Sequence, residues 1–517
     1  MRPTHLALFS ALGMMLTSLS VYSFTPPGGT PPGGARADAP SAERAPITQQ
    51  IAGDVQGQTE LTRFDVGSTL RIEGRVGHPR LSRSAGETFL MLEVRGDSSG
   101  TATTQAPVNL SLVIDRSGSM KGTRLSNAIQ AATTAVERLN DGDVVSVVAF
   151  DTRPGVIVPP TIVRQGTRPG ILADIRGLSL GGDTCISCGV EEGLALLDQT
   201  AGKVSRMIVL SDGDANNGVR DVPGFRSMAQ RARDRGVSIT TIGVDVDYNE
   251  KILSAIAQES NGRHYFVESD AALARIFEAE AESLTSTIAS GAEVAIDLAL
   301  GVELDRVFDR SFRRAGSKVM VPLGTFAKGE VKTVLLKVRL RGQGEGAAPV
   351  AGVEMIYRDL IANTEGRCEG KLGVEITGDP ASASDLDAVV AGRVQRSETA
   401  TTLKQANFLF QQGRVGDARA KLEAQQQVLE DVGKKAKTAA PASRARDVAS
   451  DFEGQQAALE SASNGFASPP SFATPPPGVA GGSFPQAAAA PTPAPEQSRQ
   501  GKGAVRLNEQ NAVNLGF

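Results

Sequence analysis

The sequence predicts an α/β chain in which a doubly wound, parallel-rich sheet is inserted in a β-sandwich, followed by a helical region and a disordered tail. Three observations carry that expectation. Between residues 105 and 289, apolar runs alternate with segments of helical period, which implies a sheet with helices on both faces. On either side, at 60–104 and 290–378, the period falls to two, the pattern of half-buried strands. From 466 to 517 proline, alanine, glycine and serine dominate, a composition without enough apolar surface for a packed core.

In chain order, residues 1–37 read as a leader. Arg2 precedes an apolar run from Leu6 to Phe24, a Pro/Gly linker follows, and Ala35-Arg-Ala37 offers small residues for cleavage. The stretch is either a cleaved signal peptide or an uncleaved anchor, and both place the protein outside the cytoplasm, in the periplasm or at the cell surface. Residues 68–76 and 87–94 alternate as strands, but they precede the α/β segment and need a sheet elsewhere. Pairing with the strands after residue 290 is the economical solution.

Within 105–289, apolar strands are expected at 109–114, 144–150, 207–211 and 237–244, with a short one at 263–267. Leu125, Ala128, Ile129, Ala132, Val136 and Leu139 mark a helical face, and further helices follow near 190–197, 225–232, 252–256 and 273–288. Residues after Phe150 read as a proline-broken loop. Five strands are expected in 290–378, with Val334, Leu336, Val338 and Leu340 on one face of the longest. Residues 382–462 are helical by composition. There, Ala406 to Gly413 with Asp417 and Ala418 resembles one hairpin of a tetratricopeptide repeat, and a lone unit is expected to serve as a packing appendage. The last residues, Val505 to Phe517, are expected to be a frayed end, with a short docking peptide as the alternative.

Chemistry concentrates at the ends of two strands. Asp115-Arg-Ser-Gly-Ser119 follows the first apolar run and precedes a helix, so a carboxylate and two hydroxyls share a tight loop at a strand's carboxyl end, where open α/β sheets bind ligands. Three hard oxygen donors so close together suit a small divalent cation. Gly181-Gly-Asp-Thr184 adds a hydroxyl, and the 207–211 strand runs directly into Asp212. This constellation resembles the von Willebrand factor type A family with its metal-ion-dependent adhesion site, whose core is a Rossmann-like doubly wound sheet. The resemblance implies that Asp115, Ser117, Ser119, Thr184 and Asp212 hold the cation, Mg²⁺ first, with Mn²⁺ or Ca²⁺ as alternatives. It also implies a protein partner that presents an Asp or Glu carboxylate. A looser likeness to exported bacterial proteins of this group, and to inter-α-trypsin inhibitor heavy chains, covers about residues 60–380.

Other features narrow the function. A formal charge of −4 over 517 residues gives no electrostatic attraction to nucleic acid. Membrane contact is expected only through the possible N-terminal anchor, and a pore is not expected because only one apolar run could span a bilayer. Metalloprotease, phosphate-loop and nucleophile-elbow motifs are lacking, so the chain does not read as an enzyme. His264 reads as a packed residue. Asp212 to Gly218 looks like a calcium loop, but Asn217 stands at the place reserved for glycine and Pro223 at the place reserved for glutamate. Asp183 and Asp214 are expected at the rim of the cleft. Cys185 and Cys188 are expected to form a disulfide that clamps the Thr184 loop, with a redox pair as the alternative, and Cys368 is placed on a loop. Adhesion-type binding leads; a structural or assembly part of the envelope with a fold-stabilising metal is the alternative.

Overall fold

The computed structural model describes residues 61–63, 69–84, 86–98, 107–198, 203–268, 270–467 and 494–516. The expected leader and residues 468–493 of the expected tail lie outside them. Four strands come first: β1 (Leu61–Arg63), β2 (Leu70–Val76), β3 (Arg80–Ser82) and β4 (Glu87–Gly96). The α/β layer follows, with β5 (Val108–Asp115), α1 (Thr123–Arg138), β6 (Val144–Phe150), β7 (Pro154–Ile162), α2 (Arg168–Arg176) and α3 (Ile186–Asp198). It continues through β8 (Val204–Ser211), α4 (Val222–Asp234), β9 (Ser238–Val244), α5 (Glu250–Glu259), β10 (His264–Val267) and α6 (Asp270–Thr285).

The strand order of this layer is β10-β9-β8-β5-β6-β7. All neighbours are parallel except β6 and β7. Strand β5 is central, and its eight residues are buried because both faces are covered. Leu110, Leu112 and Ile114 point into one core with Leu125, Val136 and Phe277, while Val113 points into the other with Val190, Leu194 and Phe225. Helix α3 approaches the sheet through glycine: a Cβ on Gly189 would stand 2.6 Å from Phe150 Cδ1.

The segment expected to be a proline-broken loop after Phe150 is instead β7. Pro154, Pro159 and Pro160 are tolerated there because an edge strand need not donate along its outer side.

The chain then makes β11 (Thr287–Leu298), β12 (Val302–Val307), β13 (Arg313–Ala315), β14 (Lys318–Ala327), β15 (Val331–Leu340), β16 (Gly346–Asp359) and β17 (Thr364–Thr377). These join the early strands in two sheets, β1-β2-β4-β15-β12 and β13-β14-β11-β16-β17-β3. Strand β4 runs antiparallel to β15, with Leu92 opposite Val334 and Leu90 opposite Leu336. The α/β layer is therefore an insertion in the sandwich, whose inner faces share one core of Leu90, Leu92, Val294, Val334, Val338 and Val353, among others. Seven strands stand where five were expected; β12 and β13 are short and largely exposed, so their alternation is weak. Cys368 lies within β17 and is buried, not on a loop, because β17 begins at Thr364.

Helices α7 (Ala388–Gln411), α8 (Val415–Ala439) and α9 (Ala445–Gly465) follow. The described part of the expected tail is not frayed. It forms α10 (Arg499–Gly516), which packs Val505 and Ala512 into the same core as Leu403, Phe410 and Phe452. Its apolar stripe is thin, and polar anchors complete the docking: Asn407 Nδ2 donates to the Val505 carbonyl at 3.0 Å and Asn508 Nδ2 to Asn407 Oδ1 at 3.0 Å. Among the described residues no helix is long and apolar enough to cross a membrane.

Candidate metal centre

The sheet register builds the site. Ile114 of β5 stands opposite Leu210 of β8, so Asp115 and Ser211 emerge side by side and Asp212 follows one residue later. Asp115 is fully buried. Its Oδ1 accepts the Ser117 N–H at 2.8 Å and its Oδ2 accepts the Ser211 hydroxyl at 2.6 Å. Burial pushes the Asp115 carboxyl up to about 6, against the pull of the Ser117 and Ser211 hydrogen bonds and with added repulsion from Asp212.

From Asp115 the chain turns through a short 3-10 segment, Gly118–Met120, that orients the two serines. Ser117 Oγ and Ser119 Oγ lie 3.0 Å apart, and Ser119 Oγ donates to Asp212 Oδ1 at 2.6 Å. The Thr184 loop is stitched to this turn by backbone bonds, Gly118 N–H to the Gly182 carbonyl at 2.9 Å and Gly181 N–H to the Arg116 carbonyl at 2.7 Å. Glycine is required at 181, since a Cβ there would meet the Asp151 carboxylate at 1.9 Å. Asp151 in turn pairs with Arg116 at 2.9 Å.

Thr184 is buried just ahead of α3. Its N–H donates to Asn216 Oδ1 at 2.8 Å, and its carbonyl accepts from the Asn216 and Asn217 N–H groups at 3.1 and 3.2 Å. Ser119, Thr184 and Asp212 converge around Gly213. A Cβ on that glycine would sit 3.4 Å from both Ser119 Oγ and Thr184 Oγ1. The five residues picked from the sequence thus meet in one place. Asp183 and Asp214 are exposed beside them. Cys185 and Cys188 form a disulfide with Cα atoms 5.3 Å apart, directly after Thr184.

Three participants were not anticipated. Ser211 holds Asp115. Arg124 Nη1 donates to Asp212 Oδ2 and to the Ser119 carbonyl, both at 2.8 Å, while Nη2 pairs with Asp245. Asp245 adopts a left-handed backbone, φ 65°, at the end of β9. Its sequence signal matches those of Asp115 and Asp212, an apolar strand running into an aspartate. His264 is remote from this chemistry: it is fully buried, bonded to Thr241 Oγ1 at 2.9 Å and Tyr248 Oη at 3.1 Å, and burial drives its pKa down to about 3.

The donor set is two carboxylates and three hydroxyls. Among the described residues no group of three or more His, Cys, Asp or Glu side chains is placed to hold a metal. Hard oxygens with a buried carboxyl that lacks a counter-charge of its own fit a hard divalent cation and not a soft one.

Comparisons with known proteins agree with this architecture. Residues 109–279 match the family model described as the von Willebrand factor type A domain. A protein of Synechocystis, named uncharacterized protein sll0103, is 28% identical over 268 residues, which are 49% of this chain and 62% of that protein. Human inter-alpha-trypsin inhibitor heavy chain H4 is 27% identical over 184 residues, 33% of this chain and 19% of that protein. The matched stretch therefore spans less than two thirds of either relative. Among solved structures, a von Willebrand factor type A protein from Catenulispora acidiphila superposes with a TM-score of 0.63 at 17% identity, over 72% of this chain and 90% of that one. The ArnB paralog VWA2 from Sulfolobus acidocaldarius gives 0.53 at 16% identity, over 76% and 98%. These two likenesses are of fold.

Proposed function

We propose, for a chain that carries a von Willebrand factor type A domain over residues 109–279, that it binds a protein partner through a divalent cation outside the cytoplasm. Asp115, Ser117, Ser119, Thr184 and Asp212 hold the cation, Mg²⁺ in the first instance. The convergence of Ser119, Thr184 and Asp212 on Gly213, beside the buried Asp115, carries this reading. Three of the five donors are neutral and Asp212 already shares its charge with Arg124, so a bound cation keeps residual positive charge. An Asp or Glu carboxylate from the partner neutralises it, and a charge-assisted contact of that kind is stronger than a neutral one.

Export rests on the Arg2 and Leu6–Phe24 leader pattern and on the Cys185–Cys188 disulfide, which suits an oxidising compartment. The alternative of a fold-stabilising metal is less well supported. Asp115 and Asp212 are already hydrogen-bonded by Ser211, Ser117, Ser119 and Arg124, and the cores at 109–114 and 207–210 are largely apolar.

The test is retention of a partner from envelope extract by the full chain, with Mg²⁺ or with EDTA, beside circular dichroism. Retention lost in EDTA with secondary structure intact supports adhesion-type binding. Retention that survives EDTA refutes it, and loss of fold in EDTA favours the structural metal.

A further inference from the structure

Helix α10 is seated on the α/β domain by an array of charges. Arg499 Nη2 lies 2.8 Å from Asp245 Oδ1, Lys502 Nζ 2.9 Å from Asp247 and Arg506 Nη1 2.7 Å from Glu250. Opposite charges thus line the helix and the rim that receives it. Polar contacts continue along the helix: Glu509 accepts from Ser254 Oγ at 2.9 Å, and Gln510 Oε1 accepts the Phe266 N–H at 2.5 Å. At its far end, the buried Arg393 donates to the Leu515 and Gly516 carbonyls at 3.0 and 2.8 Å. Few large apolar side chains hold the helix; Val505 and Val513 are buried, with Ala504 and Ala512 beside them. The Arg506–Glu250 pair is largely buried, whereas Arg499 and Lys502 are 59% and 41% exposed, so the first turn of the helix is the part that opens at low free-energy cost.

The first of these contacts leads to the metal centre. Asp245 accepts Arg499 on one oxygen and Arg124 on the other, and Arg124 bonds Asp212. Burial would raise the Asp245 carboxyl, but the Val246 N–H, Arg124 and Arg499 outweigh it and hold the group ionised below the usual range. The chain Arg499–Asp245–Arg124–Asp212 therefore alternates in charge from the helix to a candidate cation ligand.

We propose that the first turn of α10 is a tethered, displaceable ligand of the α/β domain, and that its docking and cation binding oppose each other through these four residues. This inference rests on the metal reading above. With α10 docked, Asp245 is shared, Arg124 leans on Asp212, and the three groups beyond Asp212 sum to one positive charge. With that first turn released, Asp245 and Arg124 neutralise each other and Asp212 is free to face the cation. Both effects act in the same direction, so release tightens cation binding. By linkage, the cation loosens that turn by the same factor.

The test uses the full chain. Mn²⁺ affinity is measured by calorimetry at low ionic strength for the parent, Arg499→Ala and Lys502→Ala. Amide exchange across 499–516 is followed with and without Mn²⁺. Arg499 is 59% exposed, so its removal leaves the fold intact. Arg499→Ala is expected to bind Mn²⁺ roughly five-fold tighter, the low end of ordinary couplings. Lys502→Ala removes a docking contact but no member of the chain of four, so it is expected to tighten Mn²⁺ binding by less than Arg499→Ala. Saturating Mn²⁺ is expected to speed exchange of the first turn of α10 in the parent and not in Arg499→Ala. Equal affinities for parent and Arg499→Ala, or exchange of that turn indifferent to Mn²⁺, would overturn the coupling and leave the metal site standing. Absence of Mn²⁺ binding in all three proteins would overturn both.

Discussion

Replacing Arg124 by Gln separates what the guanidinium does from what a cation does. The Asp212 side chain is fully buried and its Oδ2 is bonded by Arg124, whose own side chain is 30% exposed. Removing one member of a fully buried pair costs about 3–5 kcal/mol, and partial exposure lowers that. Asp212 also keeps the Ser119 hydroxyl. A loss of about 2 kcal/mol is therefore expected without divalent cation. For a cooperative unit of domain size this is a fall of about 4–8 °C in Tm. Saturating Mg²⁺ puts positive charge back beside Asp212, so most of the loss is expected to vanish when the metal is added. The assay is differential scanning calorimetry of parent and variant, each in EDTA and in Mg²⁺. An equal fall in both buffers would refute the reasoning, because Asp212 would then feel no cation.

Two further outcomes follow from burial. Gly189→Ala places a methyl 2.6 Å from Phe150 Cδ1 and 2.9 Å from Val113 Cγ1, so helix α3 must shift or the ring must turn; a loss of about 1–3 kcal/mol in urea unfolding is expected, and an unchanged midpoint would contradict that close approach. His264 has a folded pKa of about 3 against an ordinary 6.5, with Lys404 and Arg506 adding to the effect of burial. Below pH 6.5 the unfolded chain takes up a proton that the folded one refuses, so stability is lost as pH falls towards 3. Between pH 7 and pH 5 this amounts to about 2 kcal/mol, measured as the excess pH sensitivity of the parent over His264→Gln; equal sensitivities would remove His264 from the account.

The centre of the fold was legible because its signals are local and strong. Apolar runs end in Asp115 and in Ser211-Asp212, and such a run can only be a covered strand with its polar terminus at the sheet's edge. The sandwich was legible as alternation in 68–76 and 331–340, and the insertion followed from the need of early strands for partners. Less legible were elements whose stability comes from their neighbours. Strand β7 carries three prolines and exists because β6 offers it an edge. Helix α10 has a thin apolar stripe and reads as tail, since its anchors, Asn407, Arg393 and the acidic rim, lie elsewhere in the sequence. The same reason hid Arg124 and Asp245: each makes sense only when Asp212 is brought alongside.

Asp115→Ala tests the central claim most directly. The substitution removes a fully buried carboxylate at the heart of the donor set, while Ser211 and the Ser117 N–H lose only a hydrogen-bond acceptor. Mg²⁺ or Mn²⁺ titration by calorimetry, run beside circular dichroism, is expected to show binding in the parent and none in the variant, with the spectrum of the parent retained. Cation binding as tight in Asp115→Ala as in the parent would place the metal elsewhere, and adhesion through this centre would fall with it.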